Sequence, residues 1–271
     1  MKIAVKDFNL EATLDSGQVF GFSKNSDGKY EGVIDGRYVQ LYQEKGFLWA
    51  EHNGGKISED SVQIYFDLGH DLSTLYDLLC EDDRLRPVYE RFKGLRVIRQ
   101  DPWEALACFI ISSNNNIKRI QGIRRNLSQT FSNSEYLFPK VRHIAQSKEN
   151  ILRQLGLGYR APFLLRAAKR VSTGANIFGQ IRGSNYEKAK MHLIEFPGVG
   201  EKVADCVLLF GFQKYEAFPV DVWILRVMRK LYFRNRKVSE REVRAFAQKR
   251  WRQYAGYIQQ YLYHGTRQGI F

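Results

Sequence analysis

The periodicity of this chain changes once, near Ser61, and that change limits the folds open to it. Before it, QVFGFSK, KYEGVI, RYVQLYQ and FLWAEH are β-rich runs separated by Asn25-Ser26-Asp27-Gly28, Asp35-Gly36 and Lys45-Gly46. An Asp-Gly between two such runs signals a two-residue hairpin. After it, PWEALACFIISS, NIKRIQGIRRNLSQTF, SKENILRQLG and APFLLRAAKRV carry apolar residues three or four apart, the mark of amphipathic helices. Ser184-Asn185-Tyr186-Glu187 and Ser239-Glu240-Arg241-Glu242 are capping-box patterns that start two more helices. No internal repeat or low-complexity tract interrupts the sequence. The expectation is an α+β protein: a small antiparallel β-sheet domain over residues 1–98, then a mainly helical region over 99–271 with about eight or more helices.

Charge narrows the partners. Over 271 residues, 42 Lys and Arg oppose 29 Asp and Glu, a net charge of +13. That balance favours a polyanion, most often nucleic acid. A hydrophobic content of 44% excludes a disordered chain. Cys80, Cys108 and Cys206 are too scattered for a disulfide framework or a zinc site, and too few for a four-cysteine iron–sulfur cluster. With no signal-like or membrane-length apolar run, a soluble intracellular protein is expected.

The segment LIEFPGVGEKVADCVLLF carries the most chemistry. It reads as a helix over 187–196, a tight turn at Pro197-Gly198-Val199-Gly200, and a second helix over 201–212. The two glycines let the backbone turn sharply and leave amides uncovered at the second helix's positive end, an anion site. A nucleotide-binding P-loop needs Gly-Lys adjacent and Ser or Thr after the lysine, whereas Gly200-Glu201-Lys202-Val203 has neither. Lys202 falls in the first helical turn, where the dipole and an apolar face both disfavour the ammonium over the free amine. It is either an amine nucleophile or a solvated lysine near a phosphate. Asp221, just before an apolar-periodic helix in FPVDVWILRVMRKLYF, is a natural N-cap whose carboxylate can also face a substrate. Asp205, three residues after Lys202, is the rival carboxylate, expected in a local ion pair or in solvent.

LIEFPGVGEKVADC followed by AFPVDVW resembles the helix-hairpin-helix and aspartate of the DNA glycosylase superfamily. SGQVF, SSNNNIKRI, LGLGYRA and YAGYIQQYLY, in that order, narrow the resemblance to the 8-oxoguanine DNA glycosylases over nearly the whole chain. It implies a helical domain pair with the hairpin at about 186–212 and the aspartate segment at 218–232. It makes Lys202 similar to the nucleophile that attacks the sugar C1′ and leaves a Schiff base, from which β-elimination nicks the strand. Asp221 resembles the carboxylate stabilising positive charge on the sugar. Gly17, Cys206, Gln259 and Tyr263 resemble the 8-oxoguanine pocket. Asn114 resembles the residue filling the vacated space, Tyr159 a wedge beside it, and Arg119 and Arg160 the pair on the stranded cytosine. Gly198, Gly200 and Val203 match the DNA-facing hairpin. No cofactor or catalytic metal is implied, although carbonyls of Ile194, Phe196 and Val199 resemble a structural cation site.

Trp223 stands where animal members usually carry a phosphate-contacting histidine, and Tyr263 replaces a phenylalanine. The expected partner is double-stranded DNA with 8-oxoguanine opposite cytosine, bound by a monomer. The length suggests a bacterial or archaeal member, cytoplasmic, with a nuclear location if the source is eukaryotic. The contrasting expectation is a non-catalytic helix-hairpin-helix DNA-binding module, which needs neither Lys202, Asp221 nor a base pocket.

Overall fold

The computed structural model describes residues 1–52, 57–174 and 176–271. Strands β1 (Lys2–Ala4), β2 (Ser23–Lys24), β3 (Tyr30–Ile34), β4 (Arg37–Glu44) and β5 (Phe47–Glu51) form one antiparallel sheet in the order β1-β5-β4-β3-β2. Ile34 pairs with Arg37 and Glu44 with Phe47, so Asp35-Gly36 and Lys45-Gly46 are two-residue loops. Both residues of each loop have positive φ, the backbone that matches the strands' twist. Alternate residues Tyr30, Ile34, Val39, Leu41, Leu48 and Ala50 face a core closed by Phe8, Leu14, Phe66 and Ile98.

Two strand expectations need correction. Lys2–Ala4 pairs with β5 and was not anticipated, being only three residues long. The run QVFGFSK is a strand only at Ser23–Lys24. Gln18 explains why. Its amide donates to the carbonyls of Thr13 (3.0 Å) and Arg96 (2.8 Å) and accepts from Ile98 N (2.9 Å), while its own carbonyl accepts from Gln100 (2.8 Å). These bonds, each worth about 1 kcal/mol net, commit the segment to the interior, where Val19, Phe20 and Phe22 are buried.

Short helices α1 (Leu10–Leu14) and α2 (Glu59–Tyr65) accompany the sheet, and α3 (Ser73–Glu81) and α4 (Arg86–Phe92) join the helical core. Next come α5 (Pro102–Ser112), α6 (Ile117–Ser132), α7 (Val141–Ala145), α8 (Glu149–Leu152), α9 (Ala161–Thr173) and α10 (Ile177–Gly183). The chain ends in α11 (Tyr186–Ile194), α12 (Glu201–Phe212), α13 (Val222–Tyr232), α14 (Glu240–Trp251) and α15 (Ala255–Arg267). Helix α5 starts at the Asp101 cap with Pro102 behind it, and every residue from Ala105 to Ile111 is buried, which puts it at the centre. It packs lengthwise on α12, while α15 packs on α13, α14, α3 and α4. The helical core also takes in Leu72 to Val97.

The box at Ser239 forms as expected, with Glu242 N donating to Ser239 Oγ and Ser239 N to Glu242 Oε2. The one at Ser184 does not. Asn185 caps α11 by accepting from Lys188 N (3.0 Å), and Ser184 Oγ donates back to Gln180 O (2.8 Å) at the end of α10.

Candidate active site

The hairpin between α11 and α12 sets the site. Phe196 N donates to Leu193 O (3.0 Å) and Val199 N to Phe196 O (3.1 Å), which curls Ile194 to Val199 into a compact turn. Gly198 has φ +79°, and a Cβ on it would lie 2.7 Å from the Phe163 ring. Gly200 differs: its φ of −92° suits any residue, and it faces open space. What Gly200 contributes is bareness, since α12 has no side-chain cap and its first amides stay available. Gly198→Ala is therefore expected to cost about 1–3 kcal/mol, read as a fall of several degrees in Tm, with Gly200→Ala close to neutral. Equal melting temperatures for the two variants would refute this account of the turn.

Gly17, Asn114, Lys202, Val203, Cys206, Asp221, Gln259 and Tyr263 all line one cleft of about 450 Å³. Lys202 is half-buried, with Nζ 5.5 Å from the centre of the Phe109 ring. Asp221 caps α13, its Oδ1 accepting from Trp223 N (3.0 Å) and Ile224 N (2.8 Å). One turn beyond Lys202, burial pushes the Cys206 thiol up to about 11 against the opposing field of the lysine, so it stays protonated at neutral pH. Tyr263 is likewise raised to about 12 by burial and the nearby Asp221 charge. Gln259 is 5% exposed, and its Oε1 has no hydrogen-bond partner among the described residues. A buried amide oxygen left unpaired costs about 1–3 kcal/mol, so its place in the cleft points to a ligand.

Gly17 is fixed by residues the sequence reasoning passed over. Gln260 donates to Ser16 O (3.0 Å) and Arg267 to Asp15 O (3.0 Å), holding the loop from both sides. At φ +83°, a Cβ on Gly17 would lie 2.9 Å from Arg267 Nη1 and 3.1 Å from the Tyr263 ring. A second glutamine beside Gln259 in an otherwise apolar stretch was the available signal.

Asn114 sits between α5 and α6 in the left-handed region (φ +48°) and is exposed. Tyr159, half-exposed, donates from its hydroxyl to Ser113 O (3.1 Å). Arg160 is only 3% exposed and donates to Ser113 O (2.8 and 2.6 Å) and Asn114 O (2.7 Å). Its guanidinium thus holds the turn that presents Asn114, and it must give up these bonds to reach a base. Arg119 is exposed in the first turn of α6 and makes no side-chain hydrogen bond or ion pair among the described residues. Trp223 is 46% exposed on the cleft wall, with the Arg226 guanidinium 5.5 Å from its ring centre.

Asp205 finds its partners across the fold rather than on its own helix. It is fully buried and accepts from Tyr186 Oη (2.6 Å) and Arg244 Nε (2.7 Å), with Lys190 Nζ at 3.2 Å. A larger cavity of about 910 Å³ lies between the sheet and α5, and it is bordered by none of the expected site residues. Its buried polar groups are satisfied: Arg124 pairs with Glu104 (2.7 Å) and Tyr136 O (2.8 Å), and Trp103 Nε1 with Pro139 O (3.0 Å). Size alone does not mark the site; the Gln259 oxygen and the presence of Lys202 and Asp221 on one cleft wall do.

A bare-headed hairpin helix thus shares one cleft with an aspartate that caps the next helix, both seated on the helical core, which defines a helix-hairpin-helix protein. Residues 107–253 match the profile of the HhH-GPD superfamily of base excision DNA repair proteins, and residues 1–106 that of the 8-oxoguanine DNA glycosylase N-terminal domain. A probable N-glycosylase/DNA lyase of Methanothermobacter thermautotrophicus is 33% identical over 309 aligned positions, covering 100% of this chain and 97% of that protein. The Clostridium acetobutylicum 8-oxoguanine glycosylase/lyase, solved with double-stranded DNA containing cytosine opposite 8-oxoguanine, superposes with a TM-score of 0.91 at 30% identity. That match covers 98% of this chain and 94% of the other. MBOgg1, solved with a low-affinity DNA ligand, gives 0.93 at 32%, covering 100% and 96%. The chain belongs to the 8-oxoguanine DNA glycosylase family of the HhH-GPD superfamily.

Proposed function

We propose that this protein is a bifunctional DNA glycosylase and lyase that removes 8-oxoguanine from duplex DNA. The observation that carries the reading is Lys202 and Asp221 lining the same cleft as the buried, unpartnered Gln259 oxygen. The nucleotide must leave the stack to enter that cleft, at a cost of a few kcal/mol. Asn114 takes its place, with Tyr159 alongside. Gln259 then reads the pairing edge of the base, while Cys206 and Tyr263 lie against its faces and Gly17 closes the pocket.

As the bond to the base weakens, positive charge grows on the sugar, and the Asp221 carboxylate, fixed by two amides, stabilises it without reorganising. The Lys202 amine forms a bond to C1′ as the base departs with the glycosidic electron pair. Loss of a proton from the nitrogen and ring opening give the Schiff base. β-Elimination from it breaks the strand on the 3′ side. The amides exposed at the head of α12, near Gly198, Gly200 and Val203, are suited to a backbone phosphate. We take the working unit to be a monomer on duplex DNA in the cytoplasm of a prokaryotic cell, and no described helix is long and apolar enough to cross a membrane.

A non-catalytic DNA-binding module is disfavoured, because it gives the buried Gln259 amide no purpose and the full-length relative is a probable N-glycosylase/DNA lyase. Borohydride trapping on duplexes with 8-oxoguanine opposite each of the four bases tests the reading. Covalent trapping dependent on the lesion supports it; none on any lesion duplex overturns it. Cytosine, once stranded, offers acceptors to a guanidinium, whereas adenine presents an amino donor. An arginine–base contact is worth about 1–3 kcal/mol, so single-turnover excision opposite cytosine should exceed that opposite adenine by about tenfold. Arg119→Ala should shrink this preference; an undiminished preference would mean that Arg119 binds phosphate or solvent.

A further inference from the structure

Helix α12 carries two carboxylates within one turn of Lys202, Glu201 immediately before it and Asp205 three residues after. An unpaired carboxylate that close favours the ammonium form, and an ammonium cannot attack C1′. Yet no ion pair to Lys202 occurs among the described residues, because both carboxylates are engaged by cations of α11 and α14. We propose that Lys190 on α11 and Arg244 on α14 are positioning residues that hold Glu201 and Asp205 away from Lys202 and cancel their charge, keeping the amine available as a nucleophile. The inference rests on the reading of Lys202 as that nucleophile.

The geometry is a closed set of four charges. Asp205, fully buried, accepts from Arg244 Nε at 2.7 Å, lies 3.2 Å from Lys190 Nζ, and takes a third tether from the Tyr186 hydroxyl at 2.6 Å. Glu201, half-exposed, pairs with Arg244 Nη1 and lies 3.7 Å from Lys190 Nζ. The Lys190 and Arg244 side chains are only 9% and 6% exposed. Burial pulls the Asp205 carboxyl up from its ordinary range and the Lys190 and Arg244 cations work against that, so the charged set of two carboxylates and two cations sums to zero and offsets the anionic field that α12 would otherwise put on Lys202. On the cleft side, α5 contributes the uncharged Phe109, α12 the protonated Cys206 thiol, and α15 the protonated Tyr263 phenol. Among the described residues, the other charged groups there are Asp221, engaged by two amides, Glu240 at the head of α14, which lines the same cleft, and Arg267 of α15, 5.8 Å from the Tyr263 ring centre. The arrangement explains how an acidic pair can sit beside an amine nucleophile without disabling it.

A merely structural network and an electrostatic one differ in the pH dependence they impose. The experiment is borohydride trapping by the full chain on an 8-oxoguanine duplex, followed as a rate between about pH 5 and pH 9. Arg244→Gln leaves one net negative charge beside Lys202, so the acid limb of the curve should move to higher pH by about one unit, the scale of one nearby charge in a partly solvated setting. Adding Asp205→Asn restores the charge sum and should return the limb towards its original position. Glu201→Gln leaves one net positive charge and should move the limb the opposite way, by about half a unit. Since Glu201 is half-exposed, this last variant keeps the fold even if Arg244→Gln melts, and its curve then decides the matter. Unchanged acid limbs in folded variants, or an Arg244→Gln shift that Asp205→Asn does not reverse, would overturn the proposal while leaving the glycosylase reading intact. Absence of trapping by the unmutated protein would instead remove that reading.

Discussion

Lys202→Gln is expected to abolish base release and borohydride trapping together, lowering single-turnover excision by about 10³-fold or more. Affinity for the lesion duplex should stay within a few-fold. Lys202 is half-buried against Phe109 and takes part in no ion pair among the described residues, so its removal leaves no buried partner charge behind. Glutamine keeps a polar side chain, one atom shorter and uncharged, and lacks the amine. The two readouts should fall together because one covalent bond underlies both. Robust trapping by the variant would move the nucleophile to another amine, and a loss of duplex affinity equal to the loss of rate would recast Lys202 as a phosphate contact.

Asp221→Asn is the companion case, with a different separation of effects. Excision should slow by about 10²–10³-fold, the range seen when one preorganised electrostatic group is removed. Stability should hardly change. The cap consists of Oδ1 accepting from two amides, and an asparagine oxygen can accept from the same pair. The check is single-turnover excision beside a thermal melt. Normal excision with an unchanged Tm would reduce Asp221 to a helix cap; a large drop in Tm would show that the carboxylate's charge, not its oxygen, holds α13.

The order of elements was readable wherever a local rule governs them. Asp35-Gly36 and Lys45-Gly46 closed their hairpins because positive φ at both positions is a property of the loop itself. The Ser239–Glu242 box formed for the same reason, since both partners lie within one helical turn. Reading failed where a distant partner outbid the local pattern. Gln18 pulled its segment out of the sheet through bonds to Arg96, Ile98 and Gln100, about eighty residues away. Ser184 completed α10 instead of opening α11, leaving the cap to Asn185.

The site was legible to a similar depth. That Lys202, Asp221, Cys206, Gln259, Tyr263, Gly17 and Asn114 would converge on one cleft was legible through the ordered motifs, and the structure places all seven on its wall. The engagement of Arg160 with the Ser113–Asn114 turn was not, because nothing in LGLGYRA tells a base contact from a backbone tether. Neither were the cross-helix partners of Asp205, whose nearest cation in sequence, Lys202, is not the one it uses.

Gln260 reaches back to Ser16 across 244 residues of sequence, whereas Lys202 and Asp221 are nineteen residues apart. The two halves of the task therefore have different folding histories. The proposed cutting pair belongs to helices consecutive in the chain that can meet early, because closing a short loop costs little entropy. The pocket proposed to judge the base needs one of the longest closures in the molecule, which costs more loop entropy than the short one. A partial opening that lifts α15 off the loop at Ser16 would dismantle the means of choosing a base. The hairpin, with its amine and its hold on the backbone, would survive that opening. Discrimination in this enzyme is thus expected to decay at a lower temperature than reactivity, and a warmed preparation should become less selective before it becomes inactive.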